Sequence, residues 1–543
     1  MRKHLLLALV LVLLGQIAAI GQTAAGVKIT PAERATAELI KAEDLKHYLY
    51  FVASDAMAGR DTPSQGLDVT AEFLKMNLSR WGFKPAGDNG TFFQKIALRR
   101  ETVDLDKTFL KLGDTTYKLG DDFFRLQGTT AGSGNLVFGG DGWLVKSKNI
   151  DAFAGVDVKG KIVVIAGNGF AMNTLTPRPQ GVTADDLKGT EGIDWADPIE
   201  HARSKGAAGV LYVAPEQFQQ NWGRIRQFFT QGSMYPEKLR QTVKDSSMPV
   251  MLISKKVSDA IFAGESLDVA SSKAVDLKGS ATASTASVAK IEWTQNVVAL
   301  WEGIDPVLKN EMVAIGAHYD HDGVKPNAPG EDKIWNGADD DGSGTVAVLS
   351  IAEALAHAKI KPKRSILLVW HAGEEKGLWG SDYFNRFPTV DIKKVVAQLN
   401  IDMIGRSKKP GDTNPKNAEL SGENEIYVIG SEMMSSTLGA VTKQTNDLYL
   451  KLAYNLKYDD PNDKNRFFFR SDHFHYAQNG IPVVFWFDGE HEDYHQASDT
   501  ADKIDYQKME KVTRTIFMTM WELADLKERP AVDKELPAEL KQK

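Results

Sequence analysis

Eight of the eleven histidines lie beyond residue 317, and acids stand beside them. Five stretches carry the pattern: His318-Tyr319-Asp320, Asp339-Asp340-Asp341-Gly342-Ser343-Gly344, His371-Ala372-Gly373-Glu374-Glu375, Asn400-Ile401-Asp402-Met403 and Tyr494-His495-Gln496-Ala497-Ser498-Asp499. Imidazoles and carboxylates in this proportion suit two adjacent zinc ions. Zinc takes about four ligands, and a pair about 3.5–4 Å apart needs a shared carboxylate. Glu374 and Glu375 are adjacent and point apart, so one faces metal and the other a water. Asp320, two residues past His318, is placed to orient that imidazole as a hydrogen-bond acceptor. The chemistry this predicts is metal-assisted hydrolysis.

Each stretch alone has a plainer reading. His-x-Asp suits a surface histidine, the acid triplet a solvated turn or calcium loop, and Glu374-Glu375 a helix start favoured by its dipole. Their placement decides between the readings. Met312–Gly316, Ser365–Trp370, Val395–Ile401 and Ile481–Phe487 read as buried apolar strands, and the motifs follow their ends. The triplet opens a helix over Thr345–His357, where Gly342 and Gly344 permit a tight backbone. Helices are also expected at Ala32–Leu45, Leu67–Leu78, Pro198–Ser204 and Lys508–Leu526. Further strands are expected at Asn135–Phe138, Gly160–Ile165, Gly209–Val213, Met248–Ile253 and Asn296–Trp301. Ser271–Ser287, rich in Ser, Ala and Thr, reads as a β-ribbon or linker. Buried strands alternating with helices predict an α/β fold, a mixed central sheet flanked by helices.

At 543 residues the chain is too long for one core. A net charge of −7 with no polybasic run argues against nucleic acid as a partner. Arg2, Lys3 and His4 precede the apolar run Leu5–Leu14, and small residues follow through Ala25. That order predicts a signal peptide over 1–21, cleaved between 21 and 25, and hence a periplasmic or extracellular protein. The run is too short to span a membrane, which takes about 20 apolar residues. No cysteine is present, so zinc ligands must be His, Asp and Glu, a set that suits a catalytic site.

Residues of roughly 30–125 and 290–525 resemble the exported dizinc aminopeptidase and glutamate carboxypeptidase family. The likeness rests on His318-Tyr319-Asp320, Gly337 to Gly344, Glu374-Glu375, Asp402-Met403-Ile404-Gly405, and His495 with Asp499 four residues on. It implies two zinc ions per chain. His318 and Asp402 would hold one, Glu375 and His495 the other, and Asp340 would bridge, followed by a cis peptide. Glu374 becomes the general base and Tyr494 the oxyanion donor. Asp320, Asp341 and Asp499 support the ligands, and Arg470, in Arg470-Ser471-Asp472-His473, lines the cleft. His321, His357, His371, His473, His475 and His491 are read as hydrogen-bonded cleft or core residues. Ser54–Arg60 matches the family's approach to its first long helix and is read as structural.

Residues of roughly 130–285 resemble a protease-associated domain, through Val158–Val163, Ala202–Val210 and Met248-Pro249-Val250. The expected order is a leader at 1–21, a first peptidase segment at 27–128, this smaller β-rich insert at 129–287, the metallopeptidase domain at 288–530 and a charged tail at 531–543. The insert would lid the cleft or limit substrate size. The expected activity is a zinc exopeptidase acting on peptides. An acidic pocket around Glu374 and Asp402 favours an aminopeptidase. A carboxypeptidase would need Arg406, Arg466 or Arg470 for a terminal carboxylate. A glutaminyl-cyclase-like acyltransferase and a metal-free binding protein are the remaining alternatives, and oligomeric state is open.

Overall fold

The computed structural model describes residues 26–166, 178–230, 232–240, 248–267, 273–537 and 540. The expected leader lies outside them, as do residues 271–272 of the Ser-rich stretch. The chain divides into two units. One runs to Ala97 and resumes at Trp293; the other is Leu98–Glu292.

The first unit is built on a mixed sheet. Eight of its ten strands are β1 (Phe93–Val103), β2 (Ser287–Trp301), β3 (Met312–His318), β4 (Ser365–His371), β5 (Val395–Ile401), β6 (Glu425–Ile429), β7 (Ala453–Asn455) and β8 (Val483–Phe487). The order is β1-β2-β4-β3-β5-β8-β6-β7. β4, β3, β5 and β8 pair in parallel, whereas β2 against β4 and β6 against β8 are antiparallel. Alternate residues feed two cores: Val313, Ile315 and Ala317 face one, Met312 and Ala314 the other. Burial on both faces explains why these strands read as continuous apolar runs.

After a short helix at Pro31–Ala37, the helices are α1 (Ala42–Val52), α2 (Gln65–Arg80), α3 (Gly344–His357), α4 (Trp379–Arg386), α5 (Ser436–Leu448), α6 (His473–Gln478) and α7 (Tyr506–Asp525). Leu45, Leu67, Val346, Leu438 and Met509 put α1, α2, α3, α5 and α7 on the first core. Phe384 and Tyr476 put α4 and α6 on the second. Ser64 caps α2 by accepting from Leu67 N, and Asp505 caps α7 by accepting from Lys508 N.

The single helix expected at Ala32–Leu45 is two, Pro31–Ala37 and α1. α7 supplies the reason. Arg514 Nε donates to Ile40 O at 2.8 Å and Glu510 accepts from Ala42 N at 2.6 Å. These long side chains hold the linker carbonyl and the first N–H of α1 at the break, while Ile40 turns into the core.

The second unit holds an eight-stranded sheet ordered Thr115–Lys118, Phe109–Leu112, Val275–Ser284, Ala131–Phe138, Ile162–Ile165, Gly209–Val213, Val250–Ile253 and Phe123–Gln127. Ile162 and Leu211 face one core, Val163 and Val210 another. The sequence reading began the insert at 129. The three short strands between 109 and 127 pair inside this sheet, so the compact unit starts at Leu98. Among the described residues, no helix is long and apolar enough to cross a membrane.

Candidate metal centre

Because β3, β4, β5 and β8 are parallel, their C-terminal ends share one edge of the sheet, where α/β folds collect functional groups. His318 ends β3. Glu374 and Glu375 follow β4, Asp402 follows β5, and the loop after β8 carries Tyr494 and His495.

The acid triplet reaches this edge through the turn before α3. Gly337 takes the left-handed conformation at φ 54°, and a side chain there would meet Asp340 O at 2.2 Å. A side chain at Gly344 would meet the Asp341 carboxylate at 2.4 Å. The Asp340–Asp341 peptide is cis, as the resemblance implied. Met403 and His495 also take left-handed backbone, at φ 58° and 52°. Trp335 Nε1 holds the latter by donating to His495 O at 2.9 Å.

The side chains converge on Asp340. His318 Nε2 lies 3.2 Å from Asp340 Oδ1 and 3.5 Å from Asp402 Oδ1. His495 Nε2 lies 3.0 Å from Asp340 Oδ2 and 3.2 Å from Glu375 Oε2. His318, Asp340 and Asp402 each offer a ligand atom within 4.8 Å of the others, and so do His321, Asp340 and Glu375. His321, read from sequence as a core histidine, is buried, but its Nδ1 lies 2.7 Å from Glu375 Oε1. The other histidines set aside stand apart from these groups of ligand atoms; His371, for one, contacts Tyr476 OH at 3.2 Å.

The donors fit zinc. All are nitrogen or oxygen, two carboxylates flank a third, and several inner atoms lack hydrogen-bond partners: His318 Nε2, Asp340 Oδ2 and Glu375 Oε1. Buried polar atoms are nearly always satisfied, so an orphaned set pointing one way marks a place for a cation.

Electrostatics agree. Burial pushes His495 down, but Asp340 and Glu375 outweigh it and bring it up to about 10. Burial and Asp340 push Glu375 up, yet the His321 and His495 imidazoles bring it to about 2. Burial raises Glu374 well above the usual carboxylate range; His318 opposes, while Asp402 and Glu375 reinforce it. Glu374, raised, and Glu375, lowered, are thus set apart although adjacent in sequence.

A surrounding shell fixes the cluster. Asp499 accepts the N–H groups of Asp339 and Asp340. Asp341 Oδ1 accepts from Gly344 N at 2.8 Å and Met403 N at 3.2 Å, joining α3 to the Asp402 turn. Asp320 departs from expectation. His318 Nδ1 meets the Asp320 main-chain carbonyl at 3.1 Å, while the carboxylate stands 3.8 Å off and accepts from Glu374 N. The side chain thus positions the loop of the two glutamates rather than the imidazole.

Three further supports complete the shell. Ser471 Oγ donates to Asp402 Oδ2 at 2.7 Å. His491 Nε2 lies 3.2 Å from Asp339 Oδ2. Arg60, fully buried, donates to Tyr319 O, Val52 O, Asn336 O and Gly337 O at 2.7–3.0 Å. Ser471 lies in the cleft-lining motif, Arg60 ends the stretch read as structural, and His491 is among the histidines read as hydrogen-bonded cleft or core residues. Beside the cluster, Met403, Phe467, Phe485 and Phe487 line a cleft with Tyr494 and Arg470, and Arg470 pairs with Glu490 at 2.8 Å.

Residues 296–520 match the model of Peptidase family M28. Leupeptin-inactivating enzyme 1 of Streptomyces exfoliatus is 38% identical over 117 residues, 21% of this chain and 24% of that protein. A probable leucine aminopeptidase of Trichophyton verrucosum (strain HKI 0517) is 29% identical over 244 residues, 43% of this chain and 59% of its own length. The chain thus matches less than two thirds of these curated relatives. An aminopeptidase from Aneurinibacillus sp. strain AM-1 aligns over 93% of this chain and 98% of its own, at 19% identity and a TM-score of 0.46.

Proposed function

We propose that the protein is a zinc-dependent exopeptidase, an aminopeptidase that removes N-terminal residues from peptides. One observation carries the reading: the His318–Asp402 and His495–Glu375 pairs close on opposite oxygens of a single carboxylate, Asp340. His318 and Asp402 would hold one ion, Glu375 and His495 the second, with Asp340 between.

Bound there, two zinc ions would supply Lewis acidity, lowering the pKa of a shared water and polarising the peptide carbonyl. Glu374, its carboxyl raised by burial, takes a proton from the attacking water and returns it to the leaving amine. The Tyr494 hydroxyl, on the residue next to His495, donates to the carbonyl oxygen as it gains charge. Asp499, Asp341 and Ser471 hold the carboxylates still, so that little reorganises during the reaction.

The charges favour the amino direction. Arg470 already pairs with Glu490, and Arg406 with Asp493 at 2.9 Å. The cleft presents Asp340, Glu374 and Asp402, acids that attract a cationic α-amine. A screen of peptides with free and blocked amino termini, with and without chelator, tests this. Chelator-sensitive cleavage of free-amine peptides alone is expected; cleavage of blocked peptides from the carboxyl end would favour the carboxypeptidase alternative.

We also propose export through the basic-apolar leader, and a substrate-limiting role for the second unit as a protease-associated domain. The texture of both stretches supports these readings. Deleting the insert should change the ratio of kcat/KM between long and short peptides.

A further inference from the structure

His321 is left without a role by the ligand scheme above. Its ring is fully buried against the cluster, 5.7 Å from the His495 ring and edge-on to it. Nδ1 stands 2.7 Å from Glu375 Oε1 and 3.8 Å from Asp340 Oδ2. Among the described residues, none of these three atoms has a hydrogen-bond partner. His321, Asp340 and Glu375 each offer a ligand atom within 4.8 Å of the others, a spacing that one cation can bridge.

Resting on the dizinc reading, we infer that His321 Nδ1 is an additional ligand of the ion held by Asp340, Glu375 and His495. Glu375 then divides its oxygens, Oε1 toward His321 and Oε2 toward His495. The two metal positions become unequal. The His318 position has three protein ligands, His318, Asp340 and Asp402, and stays open for water or substrate. The Glu375 position has four, His321, Asp340, Glu375 and His495, and the shared water would be a fifth, so this ion would be held the more firmly of the two. His321 fixes this second ion from the buried side, while His495, 36% exposed, closes it from the cleft.

Zinc release to a chromophoric chelator tests this without reference to turnover. Wild-type protein should release two ions in two phases. In His321→Ala the slow phase should accelerate by more than about 100-fold, beyond the 10–100-fold typical of a residue that only orients a ligand. Melting temperatures of the metal-free proteins should agree, and the gain on adding zinc should shrink in the variant. A lower metal-free melting temperature with the zinc gain intact would mean a packing role and overturn the assignment. If His321→Ala does not fold, cobalt-substituted wild-type protein decides the question. Three hyperfine-shifted imidazole N–H resonances are expected, from His318, His495 and His321; two would refute the third ligand. Wild-type protein that binds no zinc would overturn the dizinc reading itself, whereas two ions held equally in both proteins would overturn only the role of His321.

Discussion

Asp499 accepts the main-chain N–H of Asp340 at 3.2 Å, across 159 positions of sequence. It also accepts from Asp339 N at 2.9 Å. One buried carboxylate from the loop after β8 therefore sets the backbone beneath the residue on which every proposed ligand converges.

Asp499→Ala leaves two buried N–H groups without acceptors and frees the Asp340 turn. Metal affinity should fall about 10–100-fold, as for other residues that orient ligands. Asp499→Asn keeps one acceptor oxygen and should fall between the variant and wild type. Isothermal titration of the metal-free proteins with zinc measures both, and equal affinities would remove Asp499 from the account.

Ser471→Ala removes the 2.7 Å donor to Asp402 Oδ2. Asn400 Nδ2, which donates to Ser471 Oγ at 2.8 Å, loses its partner too. Stability should drop by about 1–3 kcal/mol, and one of the two ions should bind more weakly. Chemical denaturation with and without zinc separates these effects; a loss that zinc leaves unchanged would place Ser471 in packing alone.

Arg60 gathers four main-chain carbonyls from segments that are far apart in sequence. Arg60→Leu should cost about 3–5 kcal/mol, because the carbonyls stay buried and nearby Asp320, Asp341 and Asp499 lose their counter-charge. Arg60→Lys should rescue little, since an ammonium lacks the planar fork that reaches several acceptors at once. Near-wild-type stability in the lysine variant would show that charge alone suffices.

Glu522 on α7 offers a test remote from the metal centre. Burial and the neighbouring acids Glu33 and Asp525 raise its carboxyl to about 7. A carboxyl raised on folding stabilises fully below its unfolded value of about 4.3, and that contribution is lost as pH rises through 7. Glu522→Gln removes the penalty at high pH. It should stabilise the protein by about 1–3 kcal/mol at pH 8.5 and have little effect near pH 4.5. Equal effects at both pH values would exclude the linkage.

What the sequence discloses follows from what each element depends on. β3, β4, β5 and β8 are legible because burial on both faces leaves continuous apolar runs, and the motifs could be placed at their ends. The break between Ala37 and Ala42 is not legible, because it is made by Arg514 and Glu510 from the far end of the chain. The strands between 109 and 127 are short and only half buried, so their membership of the second sheet is a matter of pairing partners rather than composition. Glu374, Glu375 and Asp340 stand out by type and spacing. His321, His491 and Arg60 do not, since a lone histidine or arginine gains meaning only from what folding puts beside it. Asp320 shows the finer limit: spacing placed it beside His318, but which of its oxygens faces the ring depends on the turn.

The most direct test of the central claim pairs metal analysis with turnover in Glu374→Ala. Glu374 is assigned to proton transfer and not to metal binding. The variant should therefore hold about two zinc ions per chain, as wild type does, while kcat on a free-amine peptide falls by at least about 10²–10⁴-fold. Wild-type-like turnover, or loss of zinc together with activity, would contradict the assignment.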